Sequence, residues 1–250
     1  FKNEENSSTK IEIETENNHK IVIEIDDCNK IIGYKNENIV EIPNKFLYRN
    51  KSLLNLELPK AKRIGKCFLK ENSILKYIEM DMLREVDSNF LAWNEDLTYI
   101  KFPSLMEVGF GFLSFNKKIK YAYLPNLEEA SMDFLYSNRE IIILYLPKLS
   151  NMYAGFLYEN EKLKKLYLPE MIGYFRLQFK ANEIELYAPG IMKEERLKKY
   201  FNIIETLPDS EIELYESQIR KAQLAQDKLK KKIIKAVNKE LNETVKVKKK

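Results

Sequence analysis

Residues 134–155 read FLYSNREIIILYLPKLSNMYAG, and a shift of 22 residues in either direction nearly reproduces them. Phe-Leu begins at Phe46, Phe68, Phe90, Phe112, Phe134 and Phe156. Asn follows four residues later, at Asn50, Asn72, Asn94, Asn116, Asn138 and Asn160. A strand-like L-x-L-P comes next, ending at Pro59, Pro103, Pro125, Pro147 and Pro169, with Asp81 as the one exception. Six copies without an insertion predict a solenoid, because no single copy can bury its own apolar face and stacked copies can.

Stacking the copies shows the core. One apolar slot holds Leu53, Leu75, Leu97, Ile119, Ile141 and Leu163, and the next holds Leu56, Ile78, Ile100, Ala122, Leu144 and Leu166. A third runs from Leu58 to Leu168, a fourth from Ala61 to Met171 and a fifth from Ile64 to Tyr174. The two slots of L-x-L point the same way, as alternate residues of a strand do. Consecutive strands are expected to pair in parallel about 4.8 Å apart, and the proline ends each strand where a missing donor is tolerated. The recurring Asn both donates and accepts, so it suits the backbone groups of adjoining coils. Cys28 lies 22 residues before Asn50 and reads as a buried structural thiol. Cys67, before Phe68, is out of register with Cys28, so no disulfide is expected.

The outward strand slots form two columns. One reads Asn55, Tyr77, Tyr99, Tyr121, Ile143, Lys165, and the other Glu57, Glu79, Lys101, Tyr123, Tyr145, Tyr167, continued by Tyr187. This is a diagonal tyrosine band on an exposed sheet. Tyr combines large area with a polar tip and is enriched at interfaces, so Tyr77, Tyr99, Lys101, Tyr121, Tyr123, Tyr145, Tyr167 and Tyr187 are the candidate partner-binding residues. The same residues also fit plain strand propensity and ladder stacking. A second aromatic set, Tyr48, Trp93, Phe115, Tyr136 and Tyr158, reads either as local packing or as a flank site.

Outside the array, residues 1–9 are polar and read as disordered. Lys10 to Ile25 alternates Ile with polar residues about Asn17-Asn18, which predicts a β-hairpin covering the first repeat. Residues 28–45 are a degenerate repeat. The seventh copy is shortened: Asn182 keeps the grid, but Pro189 arrives two residues early. The expected organisation is therefore a tail, capping hairpin and worn repeat (1–45), the solenoid (46–191), and a helical segment with a basic tail (192–250).

Residues 192–204 have a helical pattern. Ser210 and Glu213 form a capping box, followed by a seam of Ile212, Tyr215, Ile219, Ala222, Gln226, Leu229, Ile233 and Ala236. That helix could pack on the solenoid, on a partner helix, or on a second copy. From Ile219 to Lys250 there are 12 Lys/Arg and 3 Asp/Glu, hence +9, and the net +4 leaves −5 for the body. Lys228, Lys231, Lys232, Lys235 and Lys239 are candidate anion-binding residues, for nucleic acid or an anionic surface. A solvated helix face is the plainer reading, and no nucleic-acid-binding module accompanies it.

The frame L-x-x-L-x-L-P-x-L-x-x-I-x-x-x-F-L-x-x-N, carried by Leu53, Leu56, Leu58, Pro59, Ile64, Phe68 and Asn72 and repeated in the other copies, resembles the leucine-rich repeats of the BspA-like class over residues 28–191. The chain has Phe-Leu where that class usually has Ala-Phe, and a period of 22 where 23 is commoner. The resemblance implies an α/β leucine-rich-repeat solenoid with its parallel sheet on the concave face. It also implies a non-enzymatic binder of proteins, bacterial, secreted or at the cell surface. An intracellular docking or inhibitory protein, whose basic helix touches nucleic acid or a partner, is the alternative.

Chemistry of other kinds has little support. His19 stands alone on the hairpin turn, Gly109-Phe110-Gly111 is a loop fragment, and no Cys-x-x-Cys, His-Glu-x-x-His or Gly-x-Ser-x-Gly occurs. The carboxylates are read as spread along a surface rather than converging. No cofactor, metal or catalytic residue is expected. No apolar run approaches 18 residues, so no membrane span is expected. No signal peptide is read, and the start at Phe1 suggests a trimmed product.

Overall fold

The structure is a computed structural model. It describes residues 9–15, 19–26, 28–174, 184–191 and 201–203, with Ser217, Leu224, Lys228, Lys231, Lys232 and Lys235 as isolated positions. The chain winds into a parallel-strand solenoid, and each 22-residue turn contributes two strands. Strand β1 (Thr9–Glu14) and β2 (Lys20–Ile25) form an antiparallel hairpin, and β3 (Ile31–Asn36) joins β2 antiparallel. A two-residue strand, β4 (Glu41–Ile42), follows.

From there to residue 174, three-residue strands alternate with two-residue ones, and a four-residue and a three-residue strand follow. They are β5 (Asn55–Glu57), β6 (Arg63–Ile64), β7 (Tyr77–Glu79), β8 (Glu85–Val86), β9 (Tyr99–Lys101) and β10 (Glu107–Val108). The array continues with β11 (Tyr121–Tyr123), β12 (Glu129–Ala130), β13 (Ile143–Tyr145), β14 (Asn151–Met152), β15 (Lys165–Tyr167), β16 (Gly173–Tyr174), β17 (Ile184–Tyr187) and β18 (Phe201–Ile203). The three-residue strands make the main sheet, paired as β3–β5, β7–β9 and β11–β13–β15–β17–β18. The two-residue strands make a second face, β4–β6–β8–β10–β12 and β14–β16.

The apolar slots form one continuous core. Leu53, Leu75, Leu97, Ile119, Ile141, Leu58, Phe102, Leu83, Leu105 and Leu127 are all buried within it. Phe46 to Phe156 stack rung on rung with ring centroids 5.2–6.0 Å apart. That aromatic spine lies under an arc whose backbone alternates between right- and left-handed conformations. Positive φ recurs at Cys67, Leu69 and Glu71, again at Asn89, Leu91 and Trp93, and at the equivalent positions of other rungs. The alternation aims successive N–H groups up and down the solenoid axis. Cys67 N–H donates to Ser88 O, while Leu69 N–H donates back to Phe46 O. Left-handed backbone costs a non-glycine residue roughly 1–2 kcal/mol. The rung-to-rung hydrogen bonds and the buried Phe-Leu pair offset it.

The asparagine ladder bonds backward. Nδ2 of Asn72, Asn94, Asn116, Asn138 and Asn160 donates to the carbonyl 25 residues earlier (Leu47, Leu69, Leu91, Leu113 and Leu135) at 2.8–2.9 Å. Asn94, Asn116 and Asn160 thereby satisfy the carbonyls of Leu69, Leu91 and Leu135, which accept from no other group among the described residues, while Leu47 O and Leu113 O also accept from Asn50 N–H and the Asn116 amide.

Several expectations are corrected. Cys28 is exposed, not buried, because Asp26 and residues 28–30 belong to the tight connection between β2 and β3 rather than to an arc. Asp26 Oδ1 accepts from Cys28 N–H and Lys30 N–H to close that connection. Both cysteines are free thiols. The worn repeat is in register from Ile31 onward, with Tyr34 opposite Leu56 and Ile42 opposite Ile64. The hairpin pairs along β3 at the edge of the main sheet, and Ile11 and Ile13 on β1 stay exposed.

Residues 201–203, expected within a helix, are strand β18, paired with β17 as Ile184 opposite Phe201. Phe201 fills a core slot there, and burying its ring outweighs local helical pattern. No continuous helix is among the described elements, so the long C-terminal helix is not part of the described fold; most of 204–250 lies outside the described residues. Residues 1–8, Asn17, Asn18 and Asn182 also lie outside them, and Thr9 is a strand residue.

Candidate functional site

Strand alternation decides which side chains leave the core. With Ile78, Ile100 and Leu144 buried, their neighbours in each strand occupy the opposite face of the main sheet. Pairing then sets the columns: Tyr77 opposite Tyr99, Glu79 opposite Lys101, Tyr123 opposite Tyr145, Tyr145 opposite Tyr167, and Tyr167 opposite Tyr187. Tyr145, Tyr167 and Tyr187 form a stack with centroids 4.7 and 5.0 Å apart. The Tyr77 hydroxyl donates to Asn55 Oδ1 at 2.7 Å, and burial, with the Glu57 carboxylate adding, pushes its phenol pKa up. Lys101 pairs with Glu79 and Asp81, and Lys165 with Glu185.

The band is less open than the sequence suggests. Tyr77, Tyr145 and Tyr187 are half-buried, but Tyr99 is 2% exposed and Tyr167 5%. Tyr121 and Tyr123 lie on β11 at the expected register, with side chains outside the description. The structure thus places the predicted columns in register within the paired groups β3–β5, β7–β9 and β11–β13–β15–β17–β18.

Three further surfaces surround this face. On the flank, Trp93 stacks on Phe115 at 4.1 Å, Phe115 meets Tyr136 at 5.1 Å, and Tyr136 meets Tyr158 at 5.2 Å. Trp93 remains 41% exposed, so its partners cover one ring face and leave an edge in water. On the second face, Glu85, Glu107 and Glu129 pair directly with one another across β8, β10 and β12. They line a groove of about 720 Å³ that begins at the Glu41–Arg63 ion pair. This alignment along the face follows from strand pairing. Its signal was the 22-residue recurrence of Glu one place before the fifth apolar slot. The third surface is basic: Lys228, Lys231, Lys232 and Lys235 are exposed, and Lys239 lies outside the described residues.

Among the described residues no group of three His, Cys, Asp or Glu could hold a metal ion, and no helix is long and apolar enough to cross a membrane. His19 sits at the exposed hairpin turn, its N–H donating to Thr15 Oγ1.

No family model matches the chain, and no curated protein does. Among solved structures it is similar to the T. pallidum leucine-rich-repeat protein, at 16% identity and a TM-score of 0.52, over 80% of this chain and 97% of that one. A leucine-rich cell surface protein of Faecalibacterium prausnitzii A2-165 aligns at 7% identity over 73% of this chain and 75% of its own. Its TM-score of 0.29 is too loose to bear on the fold. The fold is that of a leucine-rich-repeat solenoid.

Proposed function

We propose that the chain is a non-enzymatic protein-recognition module, of a bacterial surface or secreted protein of the BspA-like class, with the outer face of the main sheet as its contact surface. The observation that carries this is the in-register tyrosine stack continuing from rung to rung, flanked by Glu57, Glu79 and Lys101. Phenol rings fixed in a ladder offer area at little further loss of freedom on binding. The flanking charges supply a polar rim. The shared solenoid fold supports the reading, since stacked repeats present long continuous surfaces.

The test begins with capture of a protein by the intact chain from the native host or from cells in contact with it. The captured protein is then identified, purified and titrated against the intact chain and against Tyr77→Ala/Tyr145→Ala/Tyr187→Ala. At least tenfold weaker binding by the variant is expected, with the circular-dichroism spectrum unchanged. Equal affinity refutes this site and points to the exposed flank of Trp93, Phe110, Met132 and Tyr153. A catch lost on nuclease treatment points to the basic tail instead.

A further inference from the structure

We propose that two copies of this chain pair edge to edge through β1, antiparallel about a two-fold axis at Glu12, so that the sheet of one copy continues into that of the other. Strand β1 is the terminal strand of its sheet, whose order is β1–β2–β3–β5. One side of it pairs with β2 throughout, Ile11 opposite Ile23 and Ile13 opposite Ile21. Just beyond, Thr15 N–H donates to His19 O. Backbone groups alternate sides along an antiparallel strand. Residues 11, 13 and 15 therefore aim theirs at β2, and the N–H and C=O groups of Lys10, Glu12 and Glu14 face the other way. Among the described residues no strand pairs with that outer side. A regular edge without proline, glycine or bulge is a template for another strand.

The side chains add a reason to pair. Ile11 continues, through Ile23 and Tyr34, the row of Leu56. Leu56 lies in the core, but Ile11 is 40% exposed and Ile13 43%. The apolar side of the sheet thus runs out into water at β1.

The residue pattern names a second copy as the occupant. In the antiparallel register centred on Glu12, Lys10 stands opposite Glu14 of the second copy at both ends of the pairing. All three outward residues then form hydrogen-bonded pairs, each exchanging two bonds. Ile11 stands opposite Ile13 of the second copy, again twice, in non-hydrogen-bonded pairs whose Cα atoms approach to about 4.5 Å. The central pair sets Glu12 against itself, but each Glu12 carboxylate is already held by its own Lys10 and Lys20 at 3.0 and 2.9 Å. Sliding a copy by two residues one way sets Glu12 against Glu14, which is unfavourable. Sliding it the other way carries Glu14 beyond the paired stretch. The sequence KIEIE is therefore complementary to itself in this one register.

The two-fold axis turns the outer faces of both main sheets to the same side. On the function proposed above, that makes the dimer bivalent. The test needs no partner protein, so its failure is separable from failure of that function.

Sedimentation velocity of the purified full chain over a concentration series is the first measurement. A dimer whose share grows with concentration is expected, and a chain still monomeric at about 100 μM, the scale of a weak contact, overturns the proposal. Glu12→Pro removes an outward N–H and leaves the bonds to β2 intact, so it should dimerise at least tenfold more weakly. Equal dimerisation by a variant that keeps its circular-dichroism spectrum refutes the edge. The second measurement reads the register. Ile11→Cys and Ile13→Cys are made separately with the two native free thiols removed as Cys28→Ser/Cys67→Ser. On mixing under mild oxidation, a disulfide between the two different chains should predominate, because about 4.5 Å between Cα atoms suits the bond. Like-with-like disulfides in excess, or none, overturn the proposal even if Glu12→Pro fails to fold.

Discussion

Asn116 and Asn138 are the same residue in the same slot, both fully buried, yet their loss should differ severalfold. Asn116 Nδ2 donates to Leu91 O at 2.9 Å and Leu113 O at 2.7 Å, and its Oδ1 accepts from Asn94 N–H at 3.1 Å. In Asn116→Ala, Leu113 O keeps the Asn138 amide. Leu91 O and Asn94 N–H have no other partner among the described residues. Two buried backbone groups left unsatisfied cost about 1–3 kcal/mol each, so a total near 4 kcal/mol is expected.

Asn138→Ala should be far milder. Leu113 O keeps the Asn116 amide, and Tyr136 O keeps Phe115 N–H. The Asn138 Oδ1 accepts no hydrogen bond among the described residues. Its removal orphans no described group, and a cost near 1 kcal/mol, mostly lost packing, follows. Equilibrium urea unfolding, followed by far-ultraviolet circular dichroism and by Trp93 fluorescence, measures both. A difference of about 3 kcal/mol supports the accounting. Equal costs would refute the claim that backbone satisfaction, rather than side-chain volume, is what the ladder provides.

Further expectations concern charge and backbone. Glu107→Gln should stabilise by about 0.5 kcal/mol at low salt, because Glu107 stands directly between Glu85 and Glu129; melting at low and high salt should show the gain shrinking as screening grows. Asp133→Asn should stabilise at neutral pH. Burial raises the Asp133 carboxyl pKa above its ordinary value, so the stability it allows is complete below the unfolded pKa and lost as pH rises through the folded one; the advantage of Asn should therefore vanish on acidification below about pH 4, and a pH-independent advantage would refute the charge argument. Lys45, at φ 61°, occupies the slot that Gly111 and Gly155 fill in other rungs. Lys45→Gly should exceed Lys45→Ala in stability by up to about 1 kcal/mol, read from urea midpoints, and the reverse order would remove strain from the account of the arc.

The 22-residue period determined the repeat, the five apolar slots, the parallel register and the columns of the main sheet. Those follow from which residues must leave water together, and Leu, Ile and Phe state that preference locally. Other features needed the fold. The left-handed arc has no residue signature, since Cys67, Leu69 and Glu71 adopt it against their own preference once rung-to-rung hydrogen bonds reward it. Strand β18 forms because Phe201 has a core slot to fill, which a helical pattern in residues 192–204 cannot reveal. The exposure of Cys28 depends on a turn that exists only because β2 pairs with β3. The carboxylate groove was written in the period at Glu85, Glu107 and Glu129, but only strand pairing makes the three neighbours. The burial of Tyr99 belongs to the same class: alternation says that its ring leaves the core, and only contacts distant in sequence decide whether it then meets water or another layer of protein.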